Sequence, residues 1–322
     1  MDQNEKIPMV AVVGSTASGK SRLAVQLAKE LNGEVVSCDS MQIYRRMNIG
    51  TAKPTADEME GIPHHLIDFA EPDAPFSCAD YVAVAKTVIA DIHRRGNIPV
   101  VCGGTGLYLE RLLMGGVDAE AAEPDLSIRE KWQTFAEING NHALHEELRL
   151  VDAESAEAIH ENNVHRVIRA LEIFETTGTP KSQWDRRSKE FDSDYDCVTI
   201  GLRYADRQLL YGRIDRRVDA MLEDGLLAET EALMGEGVFE KNATAAQAIG
   251  YKELLPYLRG EEADLQTAVE RLKTATRRYA KRQITWFSAK SYVHWIDADE
   301  DGVRRSDDEI LRDALRIVKQ KM

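Results

Sequence analysis

The sequence predicts an α/β fold, a parallel sheet flanked by helices, with an all-helical domain inserted into it. Three observations predict it. The apolar run Met9, Val10, Ala11, Val12, Val13 breaks into Gly14-Ser15-Thr16-Ala17-Ser18-Gly19-Lys20-Ser21 and resumes as Leu23, Leu27 and Leu31 at helical spacing. Short apolar runs at residues 34–38, 98–102 and 198–202 are separated by helical patterns, as buried parallel strands are. Residues 126–177 are helical throughout, with Val164, Val167, Ile168, Leu171 and Phe174 forming one stripe.

The first loop carries the most chemistry. Gly14 and Gly19 let the backbone curl so that successive N–H groups point into one concavity at the positive end of the following helix. Lys20 adds a mobile charge and Ser21 a hydroxyl suited to Mg²⁺. Residues 14–21 therefore predict a polyphosphate site and a P-loop NTPase-like sheet, with nucleotide or ATP binding as the ordinary use of such a loop.

The second strand, residues 34–38, ends in Asp39-Ser40-Met41-Gln42, where parallel sheets place ligand groups. Asp39 reads either as a carboxylate for Mg²⁺ or proton transfer, or as a turn-capping residue. Residues 44–54, with Arg45, Arg46 and Lys53, read as an exposed basic loop. Adjacent His64 and His65 point to opposite faces of an extended segment and predict no metal site. A helix over residues 81–94, with Val84, Val88 and Ile92 inward, precedes the strand at 98–102. At that strand's end Gly103, Gly104 and Gly106 allow close backbone approach to a ligand, and Thr105 offers a hydroxyl.

Composition shifts at Met114-Gly115-Gly116, and residues 118–125 read as an acidic connector. The expected division is a discontinuous core, 1–116 with 196–322, and an inserted helical domain, 117–195. The insert carries His165, Arg166 and Arg169 beside its stripe, then a basic loop to Lys189. In the returning core, Arg213 and Arg217 share a helix face, either as surface charges paired with Asp215 or Asp219 or as a pyrophosphate clamp. Residues 271–290 hold seven cations and no carboxylate, together with Tyr279, Trp286 and Phe287. That stretch is either a nucleic-acid face or a helix balanced by acidic neighbours in the fold. Residues 297–308 read as a loop before a last helix.

Composition sets limits on these readings. With 322 residues, 43% hydrophobic, the chain can build two ordinary cores. A formal charge of −14 argues against nonspecific nucleic-acid binding by the whole molecule while leaving room for a local basic face. Cys38, Cys78, Cys102 and Cys197 are scattered without metal or redox spacing and read as buried thiols. No apolar run approaches bilayer length and residues 1–6 are polar, so a cytoplasmic protein is expected.

The residues resemble the bacterial tRNA dimethylallyltransferases, also called tRNA isopentenyltransferases, over nearly the whole chain. The resemblance rests on residues 14–21, Asp39-Ser40-Met41-Gln42-Ile43-Tyr44, Ile49-Gly50-Thr51-Ala52-Lys53-Pro54, Pro63-His64-His65-Leu66-Ile67-Asp68, Gly103-Gly104-Thr105-Gly106-Leu107-Tyr108, Gly250-Tyr251 and Lys281-Arg282-Gln283-Ile284-Thr285-Trp286. Ser15 stands where the family commonly has proline. The resemblance implies a prenyltransferase that moves a dimethylallyl group from dimethylallyl pyrophosphate to N6 of adenosine 37 of tRNA, with Mg²⁺, on a P-loop that binds a diphosphate. The alternative is a P-loop small-metabolite kinase. It also implies Asp39 as general base, Thr105 near the reacting amine, and Lys20 with Arg213 or Arg217 on the pyrophosphate. The tRNA contacts it implies are Asp39, Ser40, Met41, Gln42, Thr105, Arg129, His165, Arg166, Val167, Ile168, Arg169, Gln247, Lys252, Lys281 and Arg282. Beyond tRNA and the prenyl donor no membrane is expected as a partner, and a monomer is expected.

Overall fold

The structure is a computed structural model and describes residues 6–114, 125–190 and 192–322. The Gly115-Gly116 boundary and most of the acidic connector lie outside the described residues. The chain runs β1 (Ile7–Gly14), α1 (Lys20–Glu30), β2 (Gly33–Ser37), α2 (Ala56–Met59), β3 (His64–His65), α3 (Cys78–Arg94), β4 (Ile98–Gly103) and α4 (Gly106–Leu113). Five helices follow: α5 (Leu126–Asn139), α6 (Asn141–Val151), α7 (Ala153–Ala158), α8 (Val164–Thr177) and α9 (Lys181–Glu190). The chain then continues as β5 (Tyr195–Arg203), α10 (Arg207–Glu223), α11 (Leu226–Gly235), α12 (Val238–Lys241), α13 (Ala243–Ala246), α14 (Leu255–Leu258) and α15 (Leu265–Ser288). It ends in β6 (Val293–Asp297), β7 (Asp299–Glu300), β8 (Val303–Arg304) and α16 (Asp307–Lys321).

Two compact units result, Met1–Glu110 with Tyr195–Met322, and Arg111–Asp194. In the first unit six strands form one sheet in the order β3-β2-β4-β1-β5-β6, and all pairings are parallel. β1 sits between β4 and β5, with Val10 opposite both Val100 and Val198. The chain leaves β1 toward one side for β2 and returns on the other as β5, so a crevice opens at the carboxyl end of β1. The buried residues Val10, Val12, Leu23, Leu27, Val100, Ile200 and Ile214 knit sheet, α1 and α10 into one core. A second core joins Ile43, Tyr44 and Met47 to Val218, Leu226, Tyr251, Leu254 and Leu272.

The helical unit packs Trp132, Leu144, Leu148, Val167, Ile168 and Leu171 together, which are the apolar positions spaced for helices in the sequence. Inside it Glu172 of α8 is fully buried yet accepts from Arg129 Nε at 2.9 Å, Arg169 Nη1 at 2.8 Å and the Asp125 N–H at 2.8 Å. A buried charge is tolerable only when paired in this way.

Three stretches differ from the expectation. Residues 44–54 are not an exposed loop: Tyr44 and Met47 are fully buried, and the half-buried Lys53 reaches Asp68 at 2.5 Å. Arg45 and Arg46 pair with Glu71, and Arg46 also with Glu236, so this basic run is neutralised within the fold. The expected basic loop before Lys189 is α9, and residues 297–308 contain the antiparallel pair β7 and β8. Turn chemistry alone did not reveal that pair because each strand has only two residues.

The edge of the sheet is held by charge. Glu34 on β2, only 3% exposed, accepts from His65 at 2.6 Å, Asn97 at 2.6 Å and both terminal nitrogens of Arg95. The Arg95 guanidinium, followed by the His65 and Asn97 bonds, holds the Glu34 carboxyl at about 2 instead of 4.5. A folded value below the unfolded one means that this stabilisation is present above pH 4.5 and lost as pH falls toward 2. Glu34→Gln is therefore expected to lower the urea midpoint at pH 7 and to differ progressively less from the parent below pH 4.5. Urea titrations at stepped pH check this, and a gap that is constant with pH contradicts it.

Candidate active site

The P-loop joins β1 to α1 and needs its unusual backbone. Gly14 has φ +152° and lies so close to Leu202 that a Cβ would sit 2.7 Å from the carbonyl oxygen. Gly19, at φ +100°, lets α1 start directly behind the curl, and Ala17 also takes a left-handed conformation at φ 60°. The curl is fastened from outside. Gln283 on α15, almost fully buried, accepts from the Thr16 N–H at 2.9 Å and donates to the Gly104 carbonyl at 3.0 Å. Arg213 Nε donates to the Ala17 carbonyl at 3.0 Å. The hydroxyls of Ser15 and Ser18 are buried and have no hydrogen-bond partner among the described residues.

A cavity of about 450 Å³ opens beside this loop. Thr16, Ala17, Gly19, Lys20 and Ser21 form its floor, and the turn Asp39-Ser40-Met41-Gln42 forms a second side. Arg213 and Arg217 of α10 face in, as do Tyr279 and Arg282 of α15. Gly50, Thr51 and Ala52 form a rim, with Gln247, Gly250 and Lys252 also on the wall. Val25, Met41, Val218, Met221, Ile249 and Leu272 supply apolar surface.

The electrostatics are unbalanced toward an anion. Burial pushes the Lys20 ammonium pKa down, Cys102 and Asp39 oppose that shift, and Arg217 adds to it. Arg217 is likewise lowered by burial, with Glu58 and Asp39 opposing and Arg213 adding, and its buried Nε has no hydrogen-bond partner among the described residues. Neither arginine uses the carboxylates that spacing offered: Asp215 pairs with Arg277 at 2.9 Å and Asp219 with Lys273 at 2.7 Å. Three cations around a curl of amides, one with an unused donor, favour a ligand of two or more negative charges.

Asp39 caps its turn and lines the cavity. Its Oδ1 accepts from the N–H groups of Met41, at 2.9 Å, and Gln42, at 3.4 Å, which orients the carboxylate at the cavity wall. Thr105 lies behind that wall: its Oγ1 accepts from the Ser40 N–H at 3.1 Å and does not line the cavity. Gln42 lines the cavity, but its amide is already committed, donating to the Thr51 and Ala52 carbonyls at 3.2 and 3.1 Å and accepting from Ser37. His64 is on the wall, whereas His65 turns away to Glu34, as alternation in an extended segment requires.

The glycines after β4 serve the protein rather than a ligand. A Cβ on Gly103 would overlap the Cys38 carbonyl, one on Gly104 would meet Gln283 Nε2 at 2.0 Å, and one on Gly106 would meet the Trp286 ring at 2.2 Å. Gln283 stood in the sequence as one uncharged residue of a basic run and as part of the family motif at residues 281–286, and no local pattern marks a polar side chain that bridges two loops far away in sequence.

The basic stretch 271–290 divides. Arg271, Lys273, Arg277 and Lys290 pair with Glu262, Asp219, Asp215 and Glu110. Arg278, Lys281 and Arg282 are exposed and have no ion pair among the described residues, and Arg282 lies over the Tyr279 ring at 5.5 Å. In the helical unit His165 and Arg166 are exposed, and Arg129, His165, Ile168 and Arg169 line a hollow of about 510 Å³. Val167 is fully buried, so its side chain has no surface to offer an RNA; Ile168 is 5% exposed and is chiefly a core residue.

The parallel sheet, the P-loop and the cation-lined cavity define a P-loop α/β protein. Residues 42–290 match the IPP transferase family and residues 7–73 match isopentenyl transferase. The tRNA dimethylallyltransferase of Caldanaerobacter subterraneus is 50% identical over 297 residues, covering 91% of this chain and 93% of that protein. Its counterpart in Bacillus cytotoxicus is 46% identical over 322 residues, covering 100% and 98%. The full-length tRNA isopentenylpyrophosphate transferase of Bacillus halodurans superposes with a TM-score of 0.68 at 43% identity, covering 98% of each chain. A eukaryotic dimethylallyltransferase solved acting on tRNA gives 0.81 at 32% identity, covering 98% of this chain and 80% of that one. The chain belongs to the tRNA dimethylallyltransferase family.

Gln283→Ala is expected to cost about 1–3 kcal/mol, because it leaves the Thr16 N–H and the Gly104 carbonyl without partners. Inorganic pyrophosphate should bind less tightly as the curl loosens. Denaturant melts and calorimetry with pyrophosphate read the two effects, and unchanged values in both would show that the loop holds its own shape.

Proposed function

We propose that this protein transfers the dimethylallyl group of dimethylallyl pyrophosphate to N6 of adenosine 37 of tRNA and releases pyrophosphate. The observation that carries the reading is Asp39 on the same cavity wall as Lys20, Arg213 and Arg217, in a member of this family. The family relationship favours this reaction over phosphoryl transfer by a small-metabolite kinase.

The pyrophosphate lies in the amide curl of residues 14–21. Its charge restores to Lys20 and Arg217 the stabilisation that burial withdrew. Arg213 is spent partly on the Ala17 carbonyl and shapes the loop, so Arg217, with its unused Nε, is the main arginine contact. The apolar side chains Val218, Met221, Ile249 and Leu272 exclude water from the allylic carbon. As the C1–O bond breaks, the charge that develops on the departing pyrophosphate meets donors already in place, which is the largest catalytic contribution. N6 forms the new bond to C1, and its proton passes to the Asp39 carboxylate, whose Oδ1 is fixed by two backbone amides. Thr105 acts through Ser40 by holding this turn in place.

A divalent cation fits the donor set. Ser21 and Asp39 both line the cavity, while no cluster of three or more His, Cys, Asp or Glu able to hold a metal occurs among the described residues. That suits Mg²⁺, which takes most of its ligands from phosphate and water and would screen the leaving group's charge.

The adenine must leave its stack to reach a buried carbon. Exposed Gln247, Lys281 and Arg282, with Lys252, offer RNA contacts in the catalytic unit. Arg129, His165, Arg166 and Arg169 offer them in the helical unit, the two arginines at 129 and 169 being held by Glu172. No helix among the described residues is long and apolar enough to cross a membrane, and the reaction is assigned to the cytoplasm, where tRNA is modified. The residues that line the cavity all belong to the catalytic unit.

Mass spectrometry of tRNA incubated with the protein and dimethylallyl pyrophosphate tests the reading; a prenyl mass gain on one nucleoside supports it, and no gain refutes it. Asp39→Ala is expected to lower turnover by roughly 10²-fold or more while tRNA affinity changes little, and near-normal turnover would remove Asp39 from the mechanism. Arg166→Ala should weaken tRNA binding and reduce its salt dependence by about one phosphate contact, without changing dimethylallyl pyrophosphate affinity. Filter binding across a salt series decides, since an unchanged slope places Arg166 off the RNA backbone.

A further inference from the structure

Outside the cavity, three consecutive backbone N–H groups converge on one carboxylate. Glu229 of α11 accepts from Asn48 at 2.9 Å, from Ile49 at 3.0 and 2.9 Å to its two oxygens, and from Gly50 at 3.0 Å. The Tyr251 hydroxyl donates to Glu229 Oε1 at 2.8 Å. A run of amides aimed at one point is an anion nest of the kind that binds phosphate, and here a side chain of the protein fills it.

The turn held in this way leads directly into the cavity rim. Gly50, Thr51 and Ala52 line the cavity, whereas Glu229 does not. The rim is tied on its other side to the turn that carries Asp39: Gln42 donates to the Thr51 and Ala52 carbonyls, and the Gln42 N–H in turn donates to Asp39. Gly50 packs against the Tyr251 ring so tightly that a Cβ would come within 2.5 Å of it. Gly250, at φ +111°, lies against Gly50, where a Cβ would come within 3.2 Å of the Gly50 carbonyl oxygen. Residues 49–54 and Gly250-Tyr251 are thus one device, although about two hundred residues separate them in the chain.

We infer that Glu229, supported by Tyr251, is a positioning residue for prenyl transfer: its carboxylate grips the amides of residues 48–50 and thereby fixes the Gly50 to Ala52 rim beside Asp39. The inference rests on the cavity being the reaction site. The carboxylate is matched to its place by charge as well as shape. Glutamine keeps the length but loses one acceptor oxygen and turns an amide NH₂ toward backbone donors. Aspartate keeps both acceptors and the charge but falls one methylene short. Because the rim lies on the acceptor side and the P-loop on the donor side, disturbing it should affect turnover and spare pyrophosphate binding.

The test is steady-state kinetics with an anticodon stem-loop RNA and dimethylallyl pyrophosphate, together with calorimetry using inorganic pyrophosphate. Glu229→Gln is expected to lower kcat by about 30-fold, the scale of a sub-ångström misplacement of reacting groups, with pyrophosphate affinity unchanged. Glu229→Asp should recover part of the loss, and Tyr251→Phe, which leaves the nest filled, should lose several-fold at most. Wild-type kcat in Glu229→Gln overturns the inference, as does a loss of pyrophosphate affinity in step with kcat, which signals general collapse. Should Glu229→Gln not accumulate as folded protein, the Asp and Phe variants carry the same readout, and wild-type kcat in both overturns it. Lys20→Ala serves as the control for the site itself. Weakened pyrophosphate binding there upholds the cavity assignment, and unchanged binding overturns that assignment and the inference with it.

Discussion

The backbone curl of residues 14–21 depends on partners outside itself, since the bond from the Ser18 N–H to the Ser15 carbonyl at 3.2 Å is too little to fix its shape. Residues 14–21 spend few of their hydrogen bonds on each other, and two serine hydroxyls in the curl are buried without partners among the described residues. The shape is imposed by residues far along the chain: Gln283 bridges Thr16 to Gly104, and Arg213 takes the Ala17 carbonyl. The protein thus leaves two loop hydroxyls without partners among the described residues and fastens the loop through bonds from other elements. Such local conflict is expected where a ligand completes the structure.

The same logic governs charge. Glu34 and Glu172 are buried carboxylates with every acceptor engaged by Arg, Asn, His or backbone donors, and both brace a unit from within. Lys20 and Arg217 are cations pressed into the cavity wall with their charge disfavoured by burial. Paired buried charges are structural, and those left short of a partner mark the place where a substrate's charge belongs. Cationic residues along α15 separate by the same criterion, since Asp215 and Asp219 neutralise Arg277 and Lys273 while Arg278, Lys281 and Arg282 remain exposed.

Much of the site was legible because its parts are local in sequence. Strand, glycine curl, Lys20 and Ser21 occupy one contiguous stretch, and Asp39 follows a strand whose apolar run is unambiguous. The roles of Gly103, Gly104 and Gly106 were misread as openings for a ligand because the neighbours that demand them, Cys38, Gln283 and Trp286, lie in other elements. Gln42 does line the cavity and Thr105 does not, and the polar groups of both are spent on Ser40, Thr51 and Ala52. Residues 44–54 looked like solvated charge, since spacing cannot reveal that Tyr44 and Met47 reach a core shared with α11 and α15.

By itself the sequence determined the long helices and the principal strands of the sheet and marked residues 14–21 as a glycine curl between strand and helix, because periodicity and glycine placement act over a few residues. It also carried the family, whose motifs are short and contiguous. Only the tertiary structure decided which charges are neutralised, which hydroxyls face the cavity, and that Glu229 and Tyr251 hold a rim formed by residues 50–52. Those outcomes depend on groups brought together by packing, and desolvation acts on neighbours in space whatever their order along the chain.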